Sequence, residues 1–193
     1  MATTATPNGA EPVNTLSASG SYSGKVRHMK IANKYGTAIF YGDFVKPVAA
    51  GGVELDAGTA TLTPIGIFVG CSYTDPTSNQ LTFSQYYPAS TAADDISAYV
   101  VDDPDLVFKI QADATLAQTT MFLNAGAVQT AGSTDFGRSK NALDASTAAT
   151  TATLPLRIVE FVEGPTSAVG DAYTDVLCIY NAGDHAYRNS TGV

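Results

Sequence analysis

Hydrophobic and polar residues alternate in short runs along this chain, with the two-residue period of a β-strand. Leu106, Phe108 and Ile110 fall on one face of such a run. Strands are predicted at residues 37–45, 65–71, 81–87, 97–101, 106–111, 154–162 and 173–181. Turn signals separate these runs about every dozen residues, which is typical of a barrel or a sandwich. The pattern therefore predicts an all-β fold of mainly antiparallel strands, arranged as a barrel or a sandwich.

The run at residues 65–71 places its odd-numbered residues, Ile65 to Cys71, on one predicted face. Glycines at positions 66 and 70 lie on the other face. A glycine inside a strand indicates a bulge or the close approach of a neighbouring segment. We therefore expect one of these two features in this strand.

Helical patterning is confined to residues 113–124, where Asp113 is a candidate N-cap and Asn124 to Gly126 would end the helix. The fold is accordingly expected to contain at most one or two short helices. Residues 126–152 are rich in Gly, Ala, Ser and Thr and are predicted to form a long loop. A loop of that length is usually functional or ordered by a partner.

Residues 1–24 contain few large hydrophobic side chains and cannot form a core of their own. They are predicted to form an extended N-terminal arm, which is either flexible or ordered on a partner. Residues 25–193 are predicted to form a single β-rich domain. A globular chain of 193 residues can bury enough surface to fold without disulfide or metal support.

Composition excludes several classes of protein. Hydrophobic residues make up 45% of the chain, which excludes general disorder. The formal net charge is −8, and nucleic-acid binding needs a basic face instead, so no direct nucleic-acid partner is expected. No apolar run approaches the length of a membrane span, and no membrane association is expected. No secretory signal is recognisable at the start of the sequence, which favours synthesis in a cytoplasm.

The charge is divided unevenly along the chain. Residues 1–34 carry a net charge of +3, and residues 35–193 carry −11. The four basic residues of the first segment are Lys25, Arg27, Lys30 and Lys34. They are candidate contacts to an acidic neighbour, including another copy of the chain. The alternative is a solvated strand edge, where lysine commonly prevents aggregation.

A search for chemistry finds no catalytic or metal-binding motif. The run from Gly20 to Gly24 has Tyr22 where a nucleophile elbow needs serine. The two histidines and two cysteines lack the spacing of a zinc site. Asp184 and His185, close to Ser190, are predicted to form a turn rather than part of a triad. The chain is therefore expected to be no enzyme and to use no cofactor or metal.

Three further features have plain structural interpretations, each with an alternative. Cys71 and Cys178 are flanked by apolar residues and are predicted to be buried free thiols, with a disulfide as the alternative. The acidic run at residues 102–105 is predicted to be a solvated turn, with a weak ion site as the alternative. The ten tyrosines are interpreted as core and interface residues, although they could form a sugar-binding platform.

Four stretches of the sequence resemble a family of small virion proteins of tailed bacteriophages. They are residues 64–88, 98–119, 137–161 and 170–187. The resemblance implies a structural virion component that binds the major capsid protein on the outside of the shell as a decoration (cement) protein. It would act there as a homotrimer, matched to local three-fold positions. The alternatives are a host- or glycan-binding head or tail appendage and, in a third class, a hydrolase or lyase acting on surface polymers.

Overall fold

The computed structural model describes residues 4–16 and 24–193, which form twelve strands and one short 3-10 turn. The strands are β1 Glu11–Thr15, β2 Arg27–Lys30, β3 Phe44–Val48, β4 Gly52–Leu55, β5 Gly66–Thr74, β6 Leu81–Ser84, β7 Ser97–Val101, β8 Leu106–Gln111, β9 Asn124–Val128, β10 Ala142–Ala149, β11 Leu156–Phe161 and β12 Asp175–Tyr180. The predicted all-β class is confirmed.

Two six-stranded antiparallel sheets contain all of these strands. The first sheet has the order β1-β8-β12-β11-β9-β10. The second has the order β2-β7-β5-β3-β4, and β6 pairs with β5 beside that path. Every strand pair in the two sheets is antiparallel. Side chains of both sheets meet in one core, so the arrangement is sandwich-like.

A first core fills the space between the two sheets. Phe44 of β3 meets Phe108 of β8 with ring centroids 5.7 Å apart, in an edge-to-face arrangement. The predicted face of Leu106, Phe108 and Ile110 is confirmed, because all three are buried in this core. Each large apolar side chain buried in this way stabilises the fold by roughly 1.5–3 kcal/mol.

A second core lies on the other face of the second sheet. Phe68 and Val100 project into it from the sheet, and the segments before β3 and before β7 cover it with Ile39 and Tyr87. The edge strands β2 and β4 approach each other here. A Cβ on Gly52 of β4 would lie 2.6 Å from the Lys30 carbonyl oxygen of β2. The second sheet is therefore buried on both faces and curls around its own core.

Strand β5 departs from the predicted alternation. Its pairing with β7 shifts in register between Phe68 and Gly70, and Gly70 adopts φ +141°. The bulge expected from the glycines is thus present. The bulge reverses the alternation of side chains along β5. Ile67 therefore points into the first core, while Cys71 points into the second. The expectation that the odd-numbered residues from Ile65 to Cys71 share one face is therefore wrong.

Both cysteines are free thiols and fully buried, as the sequence predicts. Cys71 lies in the second core and Cys178 in the first. Burial raises the pKa of the Cys71 thiol to about 12. The two thiols are therefore unreactive core residues at neutral pH.

The predicted helix at residues 113–124 is wrong. Only a 3-10 turn forms, at Gln118–Thr120, and Asn124 already begins β9. The expected N-cap carboxylate of Asp113 instead accepts a hydrogen bond from the amide of Ala145, with 2.9 Å between Oδ1 and N. Long-range pairing with the β10 strand has replaced local capping.

The predicted long loop at residues 126–152 is also wrong, because it contains most of β9 and all of β10. Ala125, Ala127 and Leu143 of this hairpin are buried in the first core. Its other residues are mostly small or hydroxyl-bearing and partly buried, so the sequence shows little of the alternation that marks the other strands. Small side chains fit here because the hairpin packs closely on the rest of the sandwich.

The extended N-terminal arm is not confirmed. Residues Glu11–Thr15 form β1, which pairs with β8, and Ala10 is completely buried. The Ala10 amide donates to the Gly42 carbonyl at 2.9 Å. The described part of the predicted arm is therefore attached to the sandwich. Residues 1–3 and 17–23, which include most of the run from Gly20 to Gly24, lie outside the described residues.

The close packing of β5 against β7 gives a stability test. A Cβ on Gly66 would overlap the Val101 carbonyl oxygen, whereas one on Gly164 would meet nothing within 4 Å. We expect Gly66→Ala to lower the free energy of unfolding by about 2 kcal/mol, because an added carbon in a packed sheet forces the backbone apart. Urea denaturation measures this. Gly164→Ala is the matched control, and equal effects of the two substitutions would contradict the proposed packing.

Candidate contact surface

Most sheet edges in the described part of the chain carry a feature that discourages pairing with another chain. Such features include charged side chains, prolines and bulges. β1 has Glu11, Pro12 and a register shift, and β2 has Arg27 and Lys30. β4 curls towards β2, while β10 shifts in register against β9 and bridges to Ala112.

Strand β6 lacks every one of these features. It pairs with β5 on one side, and no described strand pairs with its other side. Residues 76–93 contain no charged side chain. Leu81 and Phe83 project outwards with 61% and 70% of their surface exposed. Their alternation marks a strand, but the apolar face of that strand is turned to the outside rather than to a core.

A third exposed apolar side chain, Phe136, lies in the β9–β10 loop, next to a glycine that contacts the segment after β6. It is 75% exposed, and the adjacent Gly137 packs against Gln85, which follows β6 in the chain. We call Leu81, Phe83 and Phe136 the β6 ridge. An uncharged edge strand beside large exposed apolar groups is characteristic of a protein contact site.

The base of the β6 ridge is well ordered by packing and hydrogen bonds. Tyr86 stacks on Phe40 with ring centroids 5.5 Å apart and an interplanar angle of 11°. The Tyr41 amide donates to the Gly137 carbonyl at 3.0 Å, and the Ser139 amide donates to the Tyr41 carbonyl at 2.9 Å. The ridge is thus presented by a fixed scaffold, which lowers the entropy lost on binding.

The four basic residues predicted from the sequence all lie at the exposed β2 edge or close to it, but they differ in role. Arg27 is engaged within the chain, with its Nε 2.5 Å from Asp102 Oδ2. Lys25, Lys30 and Lys34 are exposed and form no ion pair with any described residue. We call these three lysines the basic edge. Of the four basic residues, these three are the ones left available to a partner within the described chain.

Asp102 corrects another expectation. The acidic run at residues 102–105 was expected to be a solvated turn, yet Asp102 is only 6% exposed. Its Oδ2 also accepts a hydrogen bond from the Tyr187 hydroxyl at 2.6 Å, and the Arg27 guanidinium lies 5.9 Å from the Tyr187 ring centroid. This cluster fastens the C-terminal turn to the second sheet. Sequence reasoning missed it because the three residues are far apart along the chain.

His185 lies at the centre of the C-terminal turn and is completely buried. Its Nδ1 accepts a hydrogen bond from the Tyr187 amide at 3.2 Å, so Nε2 carries the proton in the neutral ring. Nε2 has no hydrogen-bond partner among the described residues. Burial lowers the pKa of His185 below its ordinary value. The arrangement is that of a structural histidine within the turn that the sequence predicts.

Comparison with protein-family models, curated proteins and solved structures finds no match. Within residues 4–16 and 24–193, no group of three or more His, Cys, Asp or Glu side chains is placed to hold a metal ion. No helix in that same part of the chain has the length and apolar character needed to cross a membrane.

The buried imidazole makes stability depend on pH. The unfolded chain takes up a proton near the ordinary histidine pKa of 6.5, whereas the folded chain resists protonation. The contribution of His185 to stability is therefore complete above that pKa and is lost as the pH falls below it. When the pH is lowered from about 7 to about 5, we expect the free energy of unfolding to fall less in His185→Gln than in the parent chain. Urea denaturation at both pH values measures this.

His28→Gln is the matched control, because His28 lies exposed on β2. That variant should retain the pH dependence of the parent chain. An identical loss of stability in His185→Gln and in the parent chain would show that His185 does not cause the effect.

Proposed function

We propose that this chain is a structural virion protein that binds the outside of a phage capsid as a decoration protein and stabilises the head by bridging capsid subunits. The observation that carries this proposal is the β6 ridge, which combines the uncharged sheet edge of Leu81 and Phe83 with exposed Phe136 of the β9–β10 loop. The phage setting of the proposal comes from the sequence resemblance to small virion proteins of tailed phages.

The ridge is suited to adhesion. Each of its side chains would contribute roughly 1.5–3 kcal/mol if a partner covered it completely. The free backbone edge of β6 would add hydrogen bonds to a neighbouring strand, and such main-chain pairing is a common mode of protein recognition. Through a contact of this size, a single copy would bind with modest affinity. Many copies on a repetitive shell would together bind strongly, because each linked contact raises the effective concentration of the next.

Charge supports the same role. The basic edge is a small positive area on a chain whose net charge is −8. It would steer the chain towards an acidic surface of the major capsid protein or of a neighbouring copy. A homotrimer at a local three-fold position would present three ridges and three basic edges to the shell at once. The acidic remainder of the surface would keep decorated particles apart.

The alternative role as a glycan-binding appendage has less support. It relies on exposed tyrosines, yet Tyr73, Tyr87 and Tyr180 are buried. Tyr187 is half exposed, and its hydroxyl is committed to Asp102. The exposed aromatic groups of the ridge are phenylalanines, which offer a sugar no hydrogen bond.

The ridge can be tested by substitution. We expect Phe83→Ser and Phe136→Ser each to weaken binding to undecorated capsids roughly tenfold or more, through lost apolar burial. Co-sedimentation with capsids measures the affinity. Phe122→Ser is the matched control, because Phe122 is 68% exposed and its amide bonds to Ile158 of the first sheet. If all three substitutions weakened capsid binding equally, the β6 ridge would not be part of the contact.

The basic edge can be tested through salt dependence. We expect the triple variant Lys25→Gln, Lys30→Gln and Lys34→Gln to bind capsids more slowly at low salt and to lose most of the salt dependence of association, because exposed charges act mainly on the encounter rate. Stopped-flow or surface-based kinetics at two salt concentrations measure this. An unchanged salt dependence would mean that these lysines do not face the shell.

A reconstruction of the virion separates the two roles. Hundreds of copies on the shell would support decoration, whereas a few copies at the tail would support the appendage. Absence of the chain from purified particles would overturn both.

A further inference from the structure

Strand β6 presents a backbone edge whose hydrogen-bonding groups follow a defined pattern. The hairpin that joins β5 to β6 is closed by the Asp75 amide, which donates to the Gln80 carbonyl at 2.9 Å. Antiparallel neighbours alternate between hydrogen-bonded and non-hydrogen-bonded pairs. The next pair, Thr74 and Leu81, is therefore non-hydrogen-bonded. In agreement, the Thr74 amide donates to Asp95 Oδ1 at 3.1 Å instead of to β6.

The same alternation fixes the direction of the backbone groups along the rest of β6. Thr82 and Ser84 bond to β5, whereas the N–H and C=O groups of Leu81 and Phe83 point to the open side of the strand. No described segment bonds to these outward groups. Leu81 and Phe83 also carry the exposed apolar side chains of β6. The unused backbone groups and the exposed apolar area therefore belong to the same two residues.

Leu81 and Phe83 are placed symmetrically about Thr82, so the strand is complementary to itself. When two copies of β6 run antiparallel about a two-fold axis between their Thr82 residues, Leu81 of each copy lies opposite Phe83 of the other. Both of these pairs are hydrogen-bonded pairs, which exchange two bonds each and satisfy every outward group. Each Leu81 side chain also meets a Phe83 ring, which is a favourable cross-strand contact.

Charge allows two copies to meet at this edge. The chain has a net charge of −8, so two copies repel each other over most of their surface. Residues 76–93 contain no charged side chain, and pairing through β6 therefore places no like charges opposite one another. Each of the other edge strands, β1, β2, β4 and β10, contains at least one charged residue. A second copy of the chain is thus the partner that β6 fits.

We propose that β6 joins two copies of this chain edge to edge, as antiparallel strands paired about Thr82. This inference rests on the adhesive role proposed for the β6 ridge and names the partner of its backbone edge. The contact is short, because β6 has four residues, whereas stable interfaces normally bury at least about 1,200 Å². Pairing is therefore weak between isolated copies and strong between copies held side by side. In a layer of trimers, such two-fold contacts would link each trimer to its neighbours.

Cysteine cross-linking of the purified full chain, without capsids, tests the register. Opposite residues of a non-hydrogen-bonded pair have Cα atoms about 4.5 Å apart, which a disulfide can span. We therefore expect Thr82→Cys to form a disulfide-linked dimer under mild oxidation. Ser84→Cys is the matched control, because the two Ser84 residues lie on opposite sides of the axis, too far apart to be joined. The dimer should form roughly tenfold or more faster in Thr82→Cys, as measured on non-reducing gels.

A mixture of two variants gives a second measurement of the register. Gln80 of one copy lies opposite Ser84 of the other, so Gln80→Cys mixed with Ser84→Cys should form a mixed disulfide faster than either variant forms a dimer alone. Cys71 and Cys178 are buried and do not compete. Cross-linking of Thr82→Cys that is no faster than that of Ser84→Cys would overturn the proposed pairing.

A charge placed on the edge locates the contact. Leu81→Lys, combined with Thr82→Cys, should reduce cross-linking to the rate of Ser84→Cys, because a lysine on an edge strand blocks pairing. Phe122→Lys in the same Thr82→Cys background is the matched control. Phe122 is also an exposed apolar residue, and its amide bonds to Ile158 of the first sheet, so this lysine should leave the rate unchanged. Cross-linking that survives Leu81→Lys would contradict a contact through β6.

The outcome is separate from that of the capsid-binding experiments. Because the cross-linking mixture contains no capsids, a failure to pair would overturn the β6 contact and leave co-sedimentation to decide whether the ridge binds the shell. Pairing without any binding to capsids would support the β6 contact and overturn the decoration role.

Discussion

The second sheet packs a hydrophobic core on each of its faces, and the shape of the molecule depends on this double burial. Its central strand, β5, must supply apolar side chains to both cores. The bulge between Phe68 and Gly70 achieves this by exchanging the two faces part-way along the strand. The first half of β5 pairs with β3 and the second half pairs with β6. Strand β6 is therefore held on one side only and is left at an open edge.

The low number of charged residues explains why the open edge of β6 is uncharged. Only 15% of the residues are charged, and several of the described ones are tied into networks that join distant segments. Glu11 links β1 to Arg138 at 2.7 Å and to Lys109 of β8 at 3.5 Å. Arg27 and Asp102 fasten the C-terminal turn. Few charges are left to protect an exposed edge, and β6 has none. An edge of this kind is a liability for a free protein and an advantage for one that works in contact with others.

The β6 ridge and the basic edge are the two surface features on which the proposed role depends. The ridge exposes apolar area, and the three lysines place positive charge at the β2 edge. Both features are exposed in the described part of the chain, so both are accessible to a partner.

The sequence by itself determined the all-β class and several strands, because alternation with a two-residue period is a local signal. β7 and β8 occur at the predicted residues 97–101 and 106–111. Leu81 and Phe83 lie two positions apart in the predicted strand 81–87 and so share one face, but whether that face meets a core or solvent depends on what packs beside β6. The four basic residues stay contact candidates, and the separation of Arg27 from the three lysines was visible only once Asp102 was seen next to it.

Only the tertiary structure decided the remaining features, because they arise between segments far apart in the chain. Asp113 has the residue type of a helix cap, yet it binds Ala145 of a distant strand. Glu11–Thr15 has too few large side chains to indicate a strand, and pairing with β8 makes it one. The Asp43 carboxylate joins segments nearly 100 positions apart, because it accepts hydrogen bonds from the Asn141 side-chain amide and from the Phe40 backbone amide. Local patterns show which face of a segment is apolar, whereas long-range contacts determine what that face packs against.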